Sequence, residues 1–498
     1  MATIIGTSGN DNLPRLTDPS TVGNDSIYGL AGNDTINGGV GVDTMVGGIG
    51  NDFYYADSTS DVVIEGVGAG TDRIYANTNY TLGTNVENLY LQGSAYYGYG
   101  NALNNLIVGN AQNNYLWGAA GVDTMAGGLG SDRYDVNDAS DVIIEGVDAG
   151  TDIVYSYSTS YTLGANVENL QLQGGANDGI GNELNNSIVG NAANNIISGL
   201  DGSDTMAGGL GNDTYHAESP GDVVIEGVNA GTDLVYAYTN YTLSANVENL
   251  FLNSGANDGY GNALNNYIMG NAGSNIISGG AGVDTMVGGI GNDIYYIDST
   301  SDVIIEGVSA GTDSVYASAS YSLGANVENL YLQGSAYYGY GNALNNSIAG
   351  NIGNNHLWGG AGNDTITGGV GNDTIRGSVG SDLLTGGTGA DYFTFYSATE
   401  GSDTITDFSW AQLDKIALSD SGFGGSLTTT TGATPGSLLS SQFVTGAGAT
   451  NSNHRVIYNS STGALFFDQD GTGAAAQVQI ASLSTGLALI SSDFQVIA

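Results

Sequence analysis

The sequence predicts an all-β protein, an elongated parallel β-solenoid of nonapeptide repeats closed by a small C-terminal β region. Three observations predict it. Glycine returns every nine residues with an apolar residue in phase, longer markers return about every 80 residues, and the net charge is -44 with no cysteine.

The long repeat is carried by whole phrases. Asp-Thr-Met begins at Asp43, Asp123, Asp204 and Asp284, and a related Asp-Thr-Ile begins at Asp364. Asn-Val-Glu-Asn-Leu begins at Asn85, Asn166, Asn246 and Asn326, and Ile-Glu-Gly at Ile64, Ile144, Ile225 and Ile305. The unit therefore occurs four times, with a partial fifth. Inside it, Gly100, Gly109, Gly118 and Gly127 open successive nonapeptides, and the longest unbroken run goes from Gly341 through Gly386.

A typical nonapeptide, Gly368-Gly369-Val370-Gly371-Asn372-Asp373-Thr374-Ile375-Arg376, places six turn-formers before three residues that suit a short strand. Glycine permits the positive-φ backbone that such a turn needs. The apolar eighth position (Ile27, Ile36, Met45, Met125, Met206, Met286, Ile366) points to one side of the strand. Two nonapeptides make one coil of eighteen residues, roughly 27 coils over the whole chain, and stacked coils line these side chains up in a narrow core between two thin sheets. A disordered glycine linker would keep no such register.

The rest of each unit, Phe53 to Tyr99 in the first, reads as short strands separated by Gly, Asn and Thr, and is expected to continue the solenoid with wider coils. Tyr96-Tyr97-Gly98-Tyr99 and Tyr337-Tyr338-Gly339-Tyr340 are expected to pack across strands, with stacking on sugars or on a neighbouring chain as the alternative.

Charge bounds the partners. Lys415 is the one lysine, so nucleic acid and anionic membrane surfaces are repelled, and no stretch is long and apolar enough to span a bilayer. At 41% hydrophobic residues and 31 tyrosines the chain can still order, provided that multivalent cations cancel the charge. Calcium takes six to eight oxygens, and a glycine turn supplies carbonyls while its Asp supplies carboxylate.

One turn is half a site, and the other half comes from the same edge one coil later. The candidate calcium ligands are Asp25, Asp34, Asp43, Asp52, Asp123, Asp132, Asp204, Asp213, Asp284, Asp293, Asp364, Asp373, Asp382 and Asp391. Eighteen residues apart, Asp25/Asp43, Asp34/Asp52, Asp364/Asp382 and Asp373/Asp391 are carboxylate pairs. In the middle units Asn replaces the earlier partner, as in Asn105/Asp123, Asn114/Asp132, Asn186/Asp204 and Asn275/Asp293. Asn removes one negative charge, so the two ends are expected to hold calcium most tightly. Asp57, Asp61, Glu65 and Asp72 recur as Asp298, Asp302, Glu306 and Asp313 and are further candidates, with solvated turn acids as the alternative.

The nonapeptide array resembles the RTX (repeats-in-toxin) family of calcium-binding β-roll proteins. The resemblance covers nearly the whole chain. It implies multiple Ca2+ ions and export by type I secretion, with an uncleaved C-terminal signal, here ending Asp493-Phe494-Gln495-Val496-Ile497. Residues 1–19, interrupted at Pro14 and Pro19, are expected to form an N-terminal strand or cap, 20–391 the solenoid, and 392–498 the C-terminal β region. That last region includes a hairpin of Arg455 to Tyr458 against Leu465 to Asp468. Because repeats begin almost at once, no catalytic domain is expected ahead of them.

Catalytic signatures are missing from the sequence. His216, His356 and His454 form no zinc-peptidase motif, no nucleophile elbow is present, and the acids recur with the period where a catalytic pair should break it. The expectation is a non-enzymatic extracellular calcium-binding structural protein, self-assembling as a surface-layer, matrix or filament subunit. The alternative is a calcium-dependent adhesin that binds cell-surface polysaccharide.

Overall fold

A computed structural model describes residues 2–13 and 22–498. The interruption with Pro14 and Pro19 lies outside the described residues. The fold is all-β, with parallel sheets forming a β-solenoid of about 21 turns. That is fewer than the roughly 27 predicted from eighteen-residue coils. The difference arises because much of the chain beyond Ser419 makes antiparallel and capping strands. The chain divides into two compact units, Met1–Thr239 with Ser244–Asn249, and Asn240–Leu243 with Leu250–Ala498.

In the first unit, successive strands alternate between two faces. One face carries Thr3–Ile5, Ser26–Ala31, Thr44–Ile49 and Val62–Ile64, then a nine-stranded sheet from Tyr80–Thr81 to Val223–Val224. The other carries an eight-stranded sheet from Asn12–Leu13 to Val142–Ile143, followed by strands beginning at Ser160–Thr162. Most strands are three or four residues long, so only one or two side chains in each can point inward. The eighth-position ladder fills those places. Ile27, Ile36, Met45, Met125, Met206, Met286 and Ile366 are all fully buried, and Ile27 pairs Met45 as Ile107 pairs Met125.

The segments between nonapeptides follow the same path with unequal coils. Phe53 pairs Arg73, Arg73 pairs Asn88, and Asn88 pairs Leu106, so a wide coil is followed by a narrow one and then by a regular one. The expected wider coil is present, from Phe53 to Arg73, and a narrower one from Arg73 to Asn88 stands beside it. Two leucines point inward from Asn88–Leu91, Leu89 and Leu91, and the space opposite them is left by Gly98. A Cβ there would meet Leu89, Ile107 and Leu91 at 3.0, 3.2 and 3.3 Å. Leu-x-Leu with a following inward glycine is one packing device, repeated at Gly179, Gly259 and Gly339.

The outward residues of these strands stack as aromatic ladders. Tyr75 lies between Tyr55 and Tyr90, with ring centroids 5.4 and 5.1 Å away, and Tyr97 stacks on Tyr99 at 4.8 Å. The Tyr-rich segments also pack across strands, Tyr99 edge-on to Tyr115 at 5.3 Å and Tyr340 edge-on to Trp358 at 4.8 Å.

The second unit repeats this plan. It ends on the parallel stack Tyr392–Phe395, Lys415–Ser419 and Phe494–Ile497 and on the hairpin Val456–Asn459 against Ala464–Phe467, which is the hairpin the sequence predicts. Tyr458, Leu465 and Phe494 are buried in this cap.

Candidate metal centres

Each nonapeptide Asp is the last turn residue before its strand, and stacking sets it directly beside its counterpart one coil away. The contact has a fixed form. The backbone N–H of one rung donates to Oδ1 of the next: Asp25 to Asp43 and Asp34 to Asp52 at 2.7 Å, Asn105 to Asp123 at 2.7 Å, Asn114 to Asp132 at 2.6 Å, and Asp373 to Asp391 at 2.8 Å. All fourteen sequence-predicted aspartates are buried.

Oδ1 is therefore satisfied and Oδ2 is not. In Asp34, Asp43, Asp52, Asp123, Asp132, Asp204, Asp213, Asp284, Asp293, Asp364, Asp373, Asp382 and Asp391, Oδ2 is buried without a hydrogen-bond partner. Each points at the glycine five residues earlier, where a side chain would have to stand. At Gly29 the crowding atoms are Asp34 Oδ2 and the Gly47 carbonyl, and at Gly368 they are Asp373 Oδ2 and the Gly386 carbonyl. Oxygens converging with no donor between them fit a hard cation, because a buried orphan acceptor otherwise costs about 1–3 kcal/mol, and more if charged.

The Asn rungs differ in kind. Asn186 accepts from the Asn182 amide at 2.7 Å and donates to the carbonyls of Val167 and Glu168 at 3.1 and 3.3 Å. Its side chain is satisfied by protein alone. Asn346 repeats the arrangement with Asn342, Val327 and Glu328.

Carboxylate pairs are nevertheless not confined to the ends. The ladder runs on from the nonapeptides into the following segment: Asp123 donates to Asp141, Asp132 to Asp152, Asp204 to Asp222 and Asp213 to Asp233. The premise that middle units offer only Asn/Asp pairs is corrected. Asp52 meets Asp72 and Asp132 meets Asp152 across the wide coil, so comparison at eighteen residues passes over them. The next rung is Glu87, which accepts from the Asp72 amide at 2.8 Å, as Glu168 does from Asp152 and Glu328 from Asp313. These glutamates were visible only as the centre of the recurring Asn-Val-Glu-Asn-Leu phrase.

Of the further candidates, the structure separates two groups. Asp61 continues the Asp25–Asp43 ladder and accepts from the Asp57 and Ser58 amides at 3.1 Å. Glu65 and Asp72 join Asp52 in a buried triad whose carboxylate oxygens lie within 4.8 Å of one another, as do Asp132, Glu145 and Asp152, Asp213, Glu226 and Asp233, and Asp293, Glu306 and Asp313. Tyr54 donates its hydroxyl to Glu65, and Tyr134, Tyr215 and Tyr295 do so to Glu145, Glu226 and Glu306.

Burial pushes several of the ladder aspartates up. Asp43, Asp123, Asp204 and Asp373 rise to about 6, and Asp72, Asp132, Asp233 and Asp364 to about 7. Desolvation is the main cause, the amide hydrogen bond opposes it, and neighbouring carboxylates add to it. Two unit charges no more than 4.8 Å apart repel by at least about 3.5 kcal/mol at an effective dielectric of about 20.

The RTX calcium-binding nonapeptide repeat family model matches residues 20–54, 99–134, 180–215, 260–295, 340–375 and 367–405. Among solved structures, the AlgE6R3 subunit of the Azotobacter vinelandii mannuronan C5-epimerase is similar at 25% identity, over 30% of this chain and 77% of that one, with a TM-score of 0.20. No curated protein matches the chain.

Proposed function

Because this chain is an RTX-type β-roll protein with calcium-binding nonapeptide repeats, we propose that it is a non-enzymatic extracellular structural protein that folds around Ca2+. The carrying observation is the row of buried carboxylate oxygens without partners, each aimed into a glycine turn. On this reading the fourteen nonapeptide aspartates named above are calcium ligands. In a cell, low free calcium leaves the acids repelling one another and the chain unfolded for type I export. Outside, affinities of about 10⁻⁴–10⁻³ M suffice for loading, and binding free energy becomes folding free energy.

Assembly into a surface layer, matrix or filament is the proposed role of the folded protein. Support comes from apolar residues that recur unburied at the tip of the wide coil, Val67, Val147, Val228 and Val308, each at least 79% exposed. An exposed apolar side chain on each of these coils suits contact with another copy of the same chain. Among the described residues no helix is long and apolar enough to cross a membrane.

Circular dichroism of the full chain with calcium and with chelator tests the folding claim, and unchanged β structure in chelator would sink it. Electron microscopy of calcium-loaded protein tests assembly, for which filaments or sheets are expected. Dispersed particles that bind a glycan array would favour the second reading, a polysaccharide-binding adhesin. That reading is supported by an open aromatic cleft lined by Tyr115, Trp117, Asp135, Asn137 and Tyr157.

A further inference from the structure

The four Asp–Glu–Asp triads add a glutamate to the glycine-turn ladder: a Cβ at Gly47 would meet both Asp52 Oδ2 and Glu65 Oε1, as one at Gly288 would meet Asp293 Oδ2 and Glu306 Oε1. Their middle member comes from outside the nonapeptides, and their outer members are separated by the wide coil. In the first triad Asp52 and Asp72 are fully buried and Glu65 is 6% exposed, and Asp52 Oδ2, Glu65 Oε2 and Asp72 Oδ2 all lack a hydrogen-bond partner. In the other three, both aspartate Oδ2 atoms lack one, while the glutamate accepts from the next glycine amide, as Glu145 does from Gly146 at 3.3 Å.

We propose that each triad is a three-carboxylate cation site, holding one Ca2+ and preferring trivalent lanthanides to Ca2+. This rests on the reading that the chain takes up calcium, and the first aspartate of each triad is shared with a glycine turn. One carboxylate oxygen from each of the three residues lies within 4.8 Å of the other two, close enough for a single ion to touch all three. Three carboxylates exceed the charge of a divalent ion, and a trivalent ion of calcium's ligand chemistry neutralises them.

The triads also fasten a loop of the wide coil. Glu65 stands just before the loop Gly66 to Thr71 and Asp72 just after it, so an ion between them closes that loop onto the coil before it.

The tyrosines supply the readout. Each triad glutamate accepts from a buried tyrosine hydroxyl, which places a phenol beside the ion, within range to sensitise Tb3+ luminescence. Full-length protein is titrated with Tb3+ under tyrosine excitation, beside a variant carrying Glu65→Gln, Glu145→Gln, Glu226→Gln and Glu306→Gln. The expected result is about four fewer tight ions per chain, with a calcium-loaded circular dichroism spectrum like that of the parent. An unchanged stoichiometry overturns the proposal. Should that variant fail to fold, Tyr54→Phe, Tyr134→Phe, Tyr215→Phe and Tyr295→Phe keep every carboxylate. Tight sensitised emission must then fall at least severalfold, and its persistence also overturns the proposal. Asp364→Asn, Asp373→Asn, Asp382→Asn and Asp391→Asn in the parent test the glycine turns separately: unchanged calcium uptake there defeats the proposed function and leaves the triads standing.

Discussion

At the residue scale, one atom separates two ways of holding a turn. Asp204 presents Oδ2 to its turn without a donor, whereas Asn186 presents its amide oxygen there with the Asn182 N–H donating to it, and its amide nitrogen donates to two carbonyls. Asn186→Asp should therefore cost about 1–3 kcal/mol in chelator, from lost hydrogen bonds and a buried charge. In calcium most of that loss should be recovered. Thermal unfolding with and without calcium checks this, and an equal loss in both conditions would contradict it. In the core, Met206 is fully buried between Ile188 and Val224, so Met206→Ala should cost about 2–5 kcal/mol with or without the ion. The two substitutions separate cation chemistry from packing.

At the element scale, the unit of construction is a coil whose strand is set by local sequence and whose register is set by its neighbours. Gly371 has φ +121, and a Cβ there would stand 2.6 Å from the Gly353 carbonyl of the coil before. Gly371→Ala should open that stacking contact and cost more than the roughly 1 kcal/mol of strain at a left-handed residue, read as faster amide exchange confined to the neighbouring turns. The nonapeptide strands and their inward residues were legible in the sequence, because a period of two inside a period of nine is local information. The wide and narrow coils were not. Phe53 to Arg73 and Arg73 to Asn88 both read as strand, turn, strand, and only the pairing shows their unequal lengths.

At the scale of the whole molecule, charge decides the folding condition. The chain has 50 acids against 6 Lys and Arg. Asp132 and Asp72 are raised to about 7 and Asp123 to about 6, above the roughly 3.9 of an unfolded Asp, chiefly by burial. Groups raised in this way stabilise the calcium-free fold fully below their unfolded value and lose that contribution as pH rises through 6 to 7. Chelated protein should thus recover β structure on acidification towards pH 4 and lose it again near pH 7. Circular dichroism across that range measures it, and structure that grows with pH in chelator would refute it. Calcium binding needs the ionised form, so apparent affinity should weaken as pH falls below about 6. Calorimetric titration at two pH values reads that directly.

The sequence by itself determined the class of fold, the buried ladder and the acidic turns, because each follows from a short periodic pattern that the nonapeptides repeat. Only the tertiary structure decided which acids meet. Asp52 reaches Asp72 and Glu65 because a longer coil carries the chain back to the same edge, and Asp72 reaches Glu87 because a shorter one follows. It also decided where they meet. A long unit of about 80 residues makes about four and a half coils, so its equivalents fall on alternate faces. In the first unit, Arg73–Ala76 belongs to the eight-stranded sheet and its equivalent Ile153–Ser156 to the nine-stranded one. Register between coils of unequal length is a property of stacking, and no single coil contains it.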